Sequence, residues 1–197
     1  MINTQMPRII AVCGMKRSGK DTISDFLCER FGYQKIKIAQ GLKDMLKASF
    51  GFTDEQLETD LKDEVDPKWG VSPRLVMQFM GTNIMQYEIQ KILPNVGRTF
   101  WMKRIIEHYL EKDDSTKYVI SDMRFVHEYE MIKNYNPLVI RVERSSLSLP
   151  FDLHPSELDH KNIPCELVID NNKSIDALLA SVADLVTKHA IINSNRI

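Results

Sequence analysis

Gly14-Met15-Lys16-Arg17-Ser18-Gly19-Lys20-Asp21-Thr22 decides the reading of this 197-residue chain. It follows an apolar run, Ile9-Ile10-Ala11-Val12-Cys13, and precedes an amphipathic run, Ile23 to Phe31. Strand, glycine-rich loop, lysine and helix form the context that a phosphate-binding P-loop requires. Successive backbone N–H groups in such a loop make an anion nest. The helix that follows points its positive end at the same spot, and Lys20 adds a full charge for the outer phosphates. A Gly-x4-Gly-Lys pattern alone is also an ordinary glycine turn; its place between a buried strand and a helix points to a nucleoside triphosphate. Candidates for binding the nucleoside triphosphate are therefore Gly14, Arg17, Ser18, Gly19, Lys20, Asp21 and Thr22.

One residue departs from the usual pattern. Ser or Thr normally follows the lysine and holds Mg²⁺; here it is Asp21, with Thr22 one later. A carboxylate beside a triphosphate is favourable when a metal lies between them. Asp21 is expected to hold Mg²⁺ directly or through water, or to orient the attacking phosphate.

Working outward, Arg8–Cys13 reads as a buried parallel strand and Lys20–Phe31 as a helix with Ile23, Phe26, Leu27 and Phe31 on one face. Gly32 is placed to end it. Tyr33–Ala39 reads as a second strand, and Gly41–Phe50 as a short helix stopped by Gly51. Thr53 and Gln56 have capping-box spacing. Residues 58–70 read as a mobile loop. Ser72-Pro73 is an N-cap followed by proline at N1, starting a helix with a break or close approach near Gly81. Pro94 and Gly97 mark a turn before a helix over Phe100–Lys112. Lys117–Ser121 is a third strand, ending in Asp122. A helix over Phe125–Asn134, strands at Leu138–Val142 and Leu167–Ile169, and a helix over Ile175–Lys188 capped by Ser174 complete the pattern, with a frayed end over Ile191–Ile197.

Strands alternating with helices predict an α/β three-layer sandwich: a parallel sheet with helices on both faces and right-handed crossovers. Ligands then sit beyond the carboxyl ends of the strands, where Gly14–Thr22, Asp122 and the segment after Val142 all lie. Asp122 is a candidate for ordering Mg²⁺ or its water shell; taken alone it is also a loop aspartate capping the next helix. Arg17, Arg74, Arg124, Arg141 and Arg144 fall near the same ends. Singly each is an ordinary surface charge, but phosphoryl transfer needs cations around the travelling group. About 75 residues separate the second and third strands, against the dozen a simple crossover needs. Such an insert can build a second pocket or a purely structural helical layer. Trp101 within it either stacks on a base or packs.

Composition fits one soluble domain. Hydrophobic residues make up 43% and charged residues 27%, and net charge is −1, so no global field favours nucleic acid or membrane. Three cysteines without Cys-x-x-Cys spacing suggest reduced thiols in an intracellular protein. No run approaches membrane-spanning length, and residues 1–8 carry no signal peptide. His154, His160 and Cys165 match no standard zinc spacing.

At this point the motifs resemble those of the bacteriophage and viral deoxynucleoside monophosphate kinases, members of the P-loop nucleotide kinase superfamily. The Gly-Lys-Asp P-loop is similar, and four blocks follow in the same order. They are Ala39-Gln40-Gly41-Leu42-Lys43-Asp44; Arg74-x-x-x-Gln78-x-x-Gly81-Thr82 with Phe100-Trp101; Asp122-x-Arg124-x-x-x-Glu128; and His154-Pro155-Ser156-Glu157. Met123 stands where threonine is usual. The resemblance spans nearly the whole chain. It implies strand order 2-3-1-4-5 in a single kinase domain, a monophosphate-binding insert at about 41–112 and a lid at about 144–164. It implies ATP and Mg²⁺ (Asp21, Thr22 and Asp122) as cofactors, with Arg144 on the ATP side. Lys20, Arg17, Arg124 and Asp122 would be catalytic. A deoxynucleoside monophosphate such as dGMP or dTMP would contact Lys16, Leu42, Lys43, Arg74, Gln78, Gly81, Thr82, Trp101, Asp122, Arg124, Glu128 (at the base edge) and Glu157. It further implies a homodimer in the cytoplasm, that of the host for a viral protein, with no nucleic-acid polymer or membrane as partner. Phosphomevalonate kinases share the Gly-Lys-Asp loop and a Ser-Asp-x-Arg block, and dephospho-CoA kinases share the broad fold. Both stay open as alternatives. A regulatory GTPase is disfavoured, since Asn172-Lys173-Ser174-Ile175 is no guanine motif.

Overall fold

The structure, a computed structural model, describes residues 6–145 and 158–194. Five strands form one all-parallel sheet: β1 (Ile9–Gly14), β2 (Gln34–Ile36), β3 (Tyr118–Met123), β4 (Leu138–Glu143) and β5 (Leu167–Asp170). Their order is β2-β3-β1-β4-β5. The expected fold is thus found, with the P-loop leaving the central strand. β1 is buried along its whole length, as a strand covered on both faces must be. On one face Ile10 and Val12 meet Ile23 and Leu27 of α1 (Lys20–Phe31). Leu178, Val182 and Val186, at i, i+4 and i+8 of the C-terminal helix Ile175–Ser194, complete that layer. Each such side chain contributes about 1.5–3 kcal/mol by burial. The other face of β1 carries Cys13, whose thiol burial pushes up to about 12, leaving it unreactive at neutral pH.

The chain divides into two compact units: the first is the sequence up to Lys37 and from Leu110 onward, the second Ile38–Tyr109. The first unit holds the sheet. The second is helical: α2 (Gln40–Phe50), α3 (Asp54–Glu58), α4 (Pro73–Gln78) and α5 (Phe100–Ile105) around Leu42, Leu46, Leu57, Val76, Trp101 and Met102. The local stop and start signals act as read. Gly32 and Gly51 are left-handed at their helix ends. The Thr53–Gln56 capping box is formed, and Ser72 Oγ accepts from Leu75 N at 3.3 Å.

Several boundaries differ. β2 is shorter than Tyr33–Ala39; it is an edge strand paired only with β3, from Gln34–Tyr118 to Ile36–Ile120. Just beyond, β3 bulges: Ala11 faces Ile120 but Cys13 faces Met123. The extra residue places Asp122 inside the strand rather than after it, and such a bulge re-aims side chains at a sheet's rim. Residues 58–70 are not a bare loop. Asp60–Asp63 is a 3-10 turn. The Asp66 carboxylate accepts from Lys68 N, Trp69 N and Gln56 Nε2, and the Trp69 indole donates to Phe50 O at 2.9 Å. The break near Gly81 is a π-helical stretch, Phe79–Tyr87, and the helix from Phe100 also widens into one over Ile106–Leu110. The helix α6 is Val126–Ile132, closing in a 3-10 turn, Lys133–Tyr135. The last helix, α7, runs past the expected Lys188 to Ser194, with Ala190 buried.

Candidate functional site

The P-loop is built for an anion. Gly14 and Gly19 both have positive φ, 138° and 107°. A Cβ on Gly14 would stand 2.4 Å from Val142 O, so only glycine lets β1 turn there. Arg17 also has positive φ, 62°, an uncommon state for a residue with a side chain. Among the described residues no side chain caps α1, whose N-cap is left-handed Gly19. A helix start of this kind aims its first-turn N–H groups at the loop, where an anion binds. Lys20 is buried, and its Nζ donates to Met15 O of the same loop. Ser18 is fully buried, and among the described residues its Oγ has no hydrogen-bond partner.

Beside this loop lies a cleft of about 370 Å³ lined by Arg17, Gly19, Lys20, Asp21, Thr22, Arg144, Asn171, Lys173, Ile175 and Leu178. Four of these side chains are cationic and one is a carboxylate, a balance suited to polyphosphate. Asn171 and Lys173 escaped the sequence reading. Asn171 Nδ2 donates to Ser18 O at 2.8 Å and lies 2.5 Å from where a Gly19 Cβ would be. The turn after β5 thereby clamps the P-loop. A polar residue just past a predicted strand end was the available signal.

Asp21 is exposed, with its Oδ1 2.8 Å from Lys35 Nζ on β2. Burial opposes its ionisation, but Lys35, with Lys37 and Lys20, outweighs this and holds the carboxyl below its ordinary value. The sequence reading gave Asp21 no such partner. Among the described residues no three His, Cys, Asp or Glu side chains gather as a metal cluster. Mg²⁺ carried by nucleotide phosphates needs only one or two protein oxygens. Asp21 and Thr22 in the cleft lining suit that donor set.

Asp122 and Arg124 are half-buried at the end of β3, and Lys16 is half-buried in the loop. Glu128, expected at the base edge, is not an exposed helix residue. It is 5% exposed, and its Oε2 accepts from Arg124 N at 2.7 Å and Phe125 N at 3.0 Å. Burial pushes its carboxyl up to about 7, helped by the charge of Asp122 and opposed by those two N–H donors. It caps α6 and fixes the backbone that carries Arg124.

In the second unit the Arg-x-x-x-Gln-x-x-Gly-Thr block and the α2 block come together. A Cβ on Gly81 would lie 2.6 Å from Leu42 Cδ2. Trp101 is 8% exposed, and its indole donates to Gly81 O at 3.0 Å. One ring edge lies 3.2 Å from where a Gly41 Cβ would be. The ring thus packs between the two blocks and is not open for stacking on a base. Lys43 is buried and paired with Glu58, and Arg74 is paired with Asp63. Gln78 and Thr82 are half-buried. Glu157 and His154–Ser156, with most of the expected lid, lie outside the described residues.

The sequence profile described as "Deoxynucleotide monophosphate kinase" matches residues 8–68 and 55–182. A protein of Acanthamoeba polyphaga mimivirus, named provisionally as such a kinase, is 29% identical over 192 residues, spanning 94% of this chain and 99% of its own. The deoxynucleotide monophosphate kinase of Enterobacteria phage T4 is 24% identical over 243 residues, with 89% and 97% covered. Among solved structures, dephospho-CoA kinase from Campylobacter jejuni superposes with a TM-score of 0.53 at 16% identity, covering 94% of this chain and 98% of that one. At that identity the likeness is one of fold alone. With its P-loop geometry and a profile match over most of its length, the chain belongs to the deoxynucleotide monophosphate kinase family.

Proposed function

We propose that the chain transfers the γ-phosphoryl group of ATP to a deoxynucleoside 5′-monophosphate. The observation that carries this reading is the Gly14–Thr22 loop, with its uncapped helix start and buried Lys20, in a chain of this family. An acceptor phosphate oxygen forms the new bond to the γ-phosphorus as the β–γ bridging bond breaks, and ADP leaves. The ionised acceptor needs little help from a base, so positioning and electrostatics do most of the work.

ATP lies along Gly14–Thr22, with Arg144 beside it. Lys20, Arg17, Lys16 and Arg124 neutralise charge that develops on the transferred group. Asp21, Thr22 and Asp122 would hold Mg²⁺, directly or through water, and it would supply charge neutralisation at the phosphates. Lys43, Arg74 and Gln78 of the second unit take the deoxynucleoside monophosphate, dGMP or dTMP being natural first choices. Leu42, Gly81, Thr82 and Trp101 shape that unit's pocket. The domain plan is one kinase domain with an insert at about 41–112 and a lid at about 144–164. We take the working form to be a homodimer without nucleic acid, consistent with exposed Leu75, Phe79 and Ile92 and a net charge of −1. Among the described residues no helix is long and apolar enough to cross a membrane, which is consistent with a cytoplasmic setting.

The test is ADP release with ATP and each of dGMP, dTMP, dCMP and dAMP, the matching ribonucleotides, phosphomevalonate and dephospho-CoA. Turnover with deoxynucleoside monophosphates is expected. Turnover only with phosphomevalonate or dephospho-CoA would overturn the acceptor assignment.

A further inference from the structure

Both cations of the second unit that the proposed function gives to the acceptor are held by carboxylates from one short stretch. Lys43 Nζ lies 2.7 Å from Glu58 Oε1. Arg74 meets Asp63 with two donors: Nε to Oδ1, and Nη2 to Oδ2 at 3.2 Å. The stretch between the two acids is internally fixed. Thr59 Oγ1 donates to Glu55 O at 2.8 Å and accepts from Leu61 N at 3.2 Å, so it ties the end of α3 to the 3-10 turn that carries Asp63.

The donors used on Arg74 matter. A guanidinium is planar and has a side edge, Nε with Nη2, and an end, Nη1 with Nη2. Asp63 takes the side edge. Two-point pairing fixes the plane of the group as well as its distance. The Nη1/Nη2 end is then directed away from Asp63, in the fork geometry that matches two phosphate oxygens. A single-point pair would leave the plane free to rotate. The Arg74 side chain is 24% exposed and that of Asp63 40%, so the pair itself adds little stability. Its effect is on orientation.

We infer that Asp63 is a positioning residue for the acceptor: it holds the Arg74 guanidinium side-on so that the end of the fork receives the phosphate of the deoxynucleoside monophosphate. This rests on the proposed role of Arg74. Glu58 meets Lys43 at Nζ–Oε1, which sets the position of an ammonium that has no plane to fix.

Asp63→Asn, Asp63→Glu, Arg74→Ala and the Asp63→Asn/Arg74→Ala double variant separate the possibilities in steady-state assays with ATP and dGMP or dTMP, thermal melting serving as a check on folding. Asp63→Asn is expected to raise acceptor KM on the order of tenfold, leave ATP KM within about twofold, and add nothing on the Arg74→Ala background. Asp63→Glu keeps the charge and recovers part of the loss. An unchanged or lowered acceptor KM in Asp63→Asn, while Arg74→Ala raises it, would overturn the inference; a lowered value would mean that Asp63 competes with the phosphate. An unchanged acceptor KM in Arg74→Ala would instead overturn the reading on which it rests.

Discussion

The two units hold the cations proposed to meet phosphates in different ways. In the sheet unit, Lys20 sits in a cradle of backbone: its Nζ meets the Met15 carbonyl, and α1 begins with no side-chain cap. In the helical unit, Lys43 and Arg74 are held by the carboxylates of Glu58 and Asp63. A backbone cradle is set by glycine positions in one loop and keeps its N–H groups whatever the pH or salt. A side-chain cradle requires two charged residues, 15 apart for Lys43 and Glu58 and 11 apart for Arg74 and Asp63, to be brought together by folding. The first kind carries a recognisable motif; the second does not.

Four experiments sharpen or break this contrast. Trp101→Ala should give the largest effect. It removes the indole that packs against Gly41 and donates to Gly81 O, and should cost about 3–5 kcal/mol of stability in chemical denaturation. At a temperature where the variant is folded, ATP KM should be preserved. An equal loss for ATP would mean that the two units do not divide the work as argued.

Lys20→Ala should lower kcat by about 10²–10³, as losses of a charge-stabilising group do, with melting close to wild type. A small loss would show that the backbone N–H groups suffice without the ammonium.

Glu128 gives a pH test. Its folded carboxyl is raised from 4.5 to about 7, so between these values the folded state keeps a proton that the unfolded chain has released. Stability from this group therefore falls as pH rises from about 4.5 to about 7. The cost reaches about 3 kcal/mol above that window and vanishes below it. Glu128→Gln, which can still accept from Arg124 N and Phe125 N, should flatten that slope and be the more stable protein at pH 8. Glu128→Ala should instead destabilise, since it leaves two N–H donors without their acceptor. A wild type whose stability does not fall across this window would refute the burial argument.

Asn171→Ala should have the smallest effect. It removes one hydrogen bond to Ser18 O, worth about 1 kcal/mol, and should raise ATP KM severalfold without changing acceptor KM. A change in acceptor KM alone would place Asn171 outside the ATP cleft's work.

What the sequence determined by itself was local. Gly14–Thr22 announced the loop, because each of its requirements falls within nine consecutive residues. The alternation of apolar runs fixed a parallel sheet, and Gly32, Gly51, Thr53 and Ser72 marked their helix ends, since caps act within one turn. The tertiary structure decided what distant residues do to one another. It put Asn171 on a loop 153 residues away and turned Glu128 inward onto the backbone of Arg124 and Phe125. It placed the β3 bulge that draws Asp122 into the strand, and it gave Arg74 and Lys43 their carboxylates. These depend on which surfaces meet when the chain packs. The same side chain is a surface charge or a held ligand according to neighbours that no short stretch of sequence specifies.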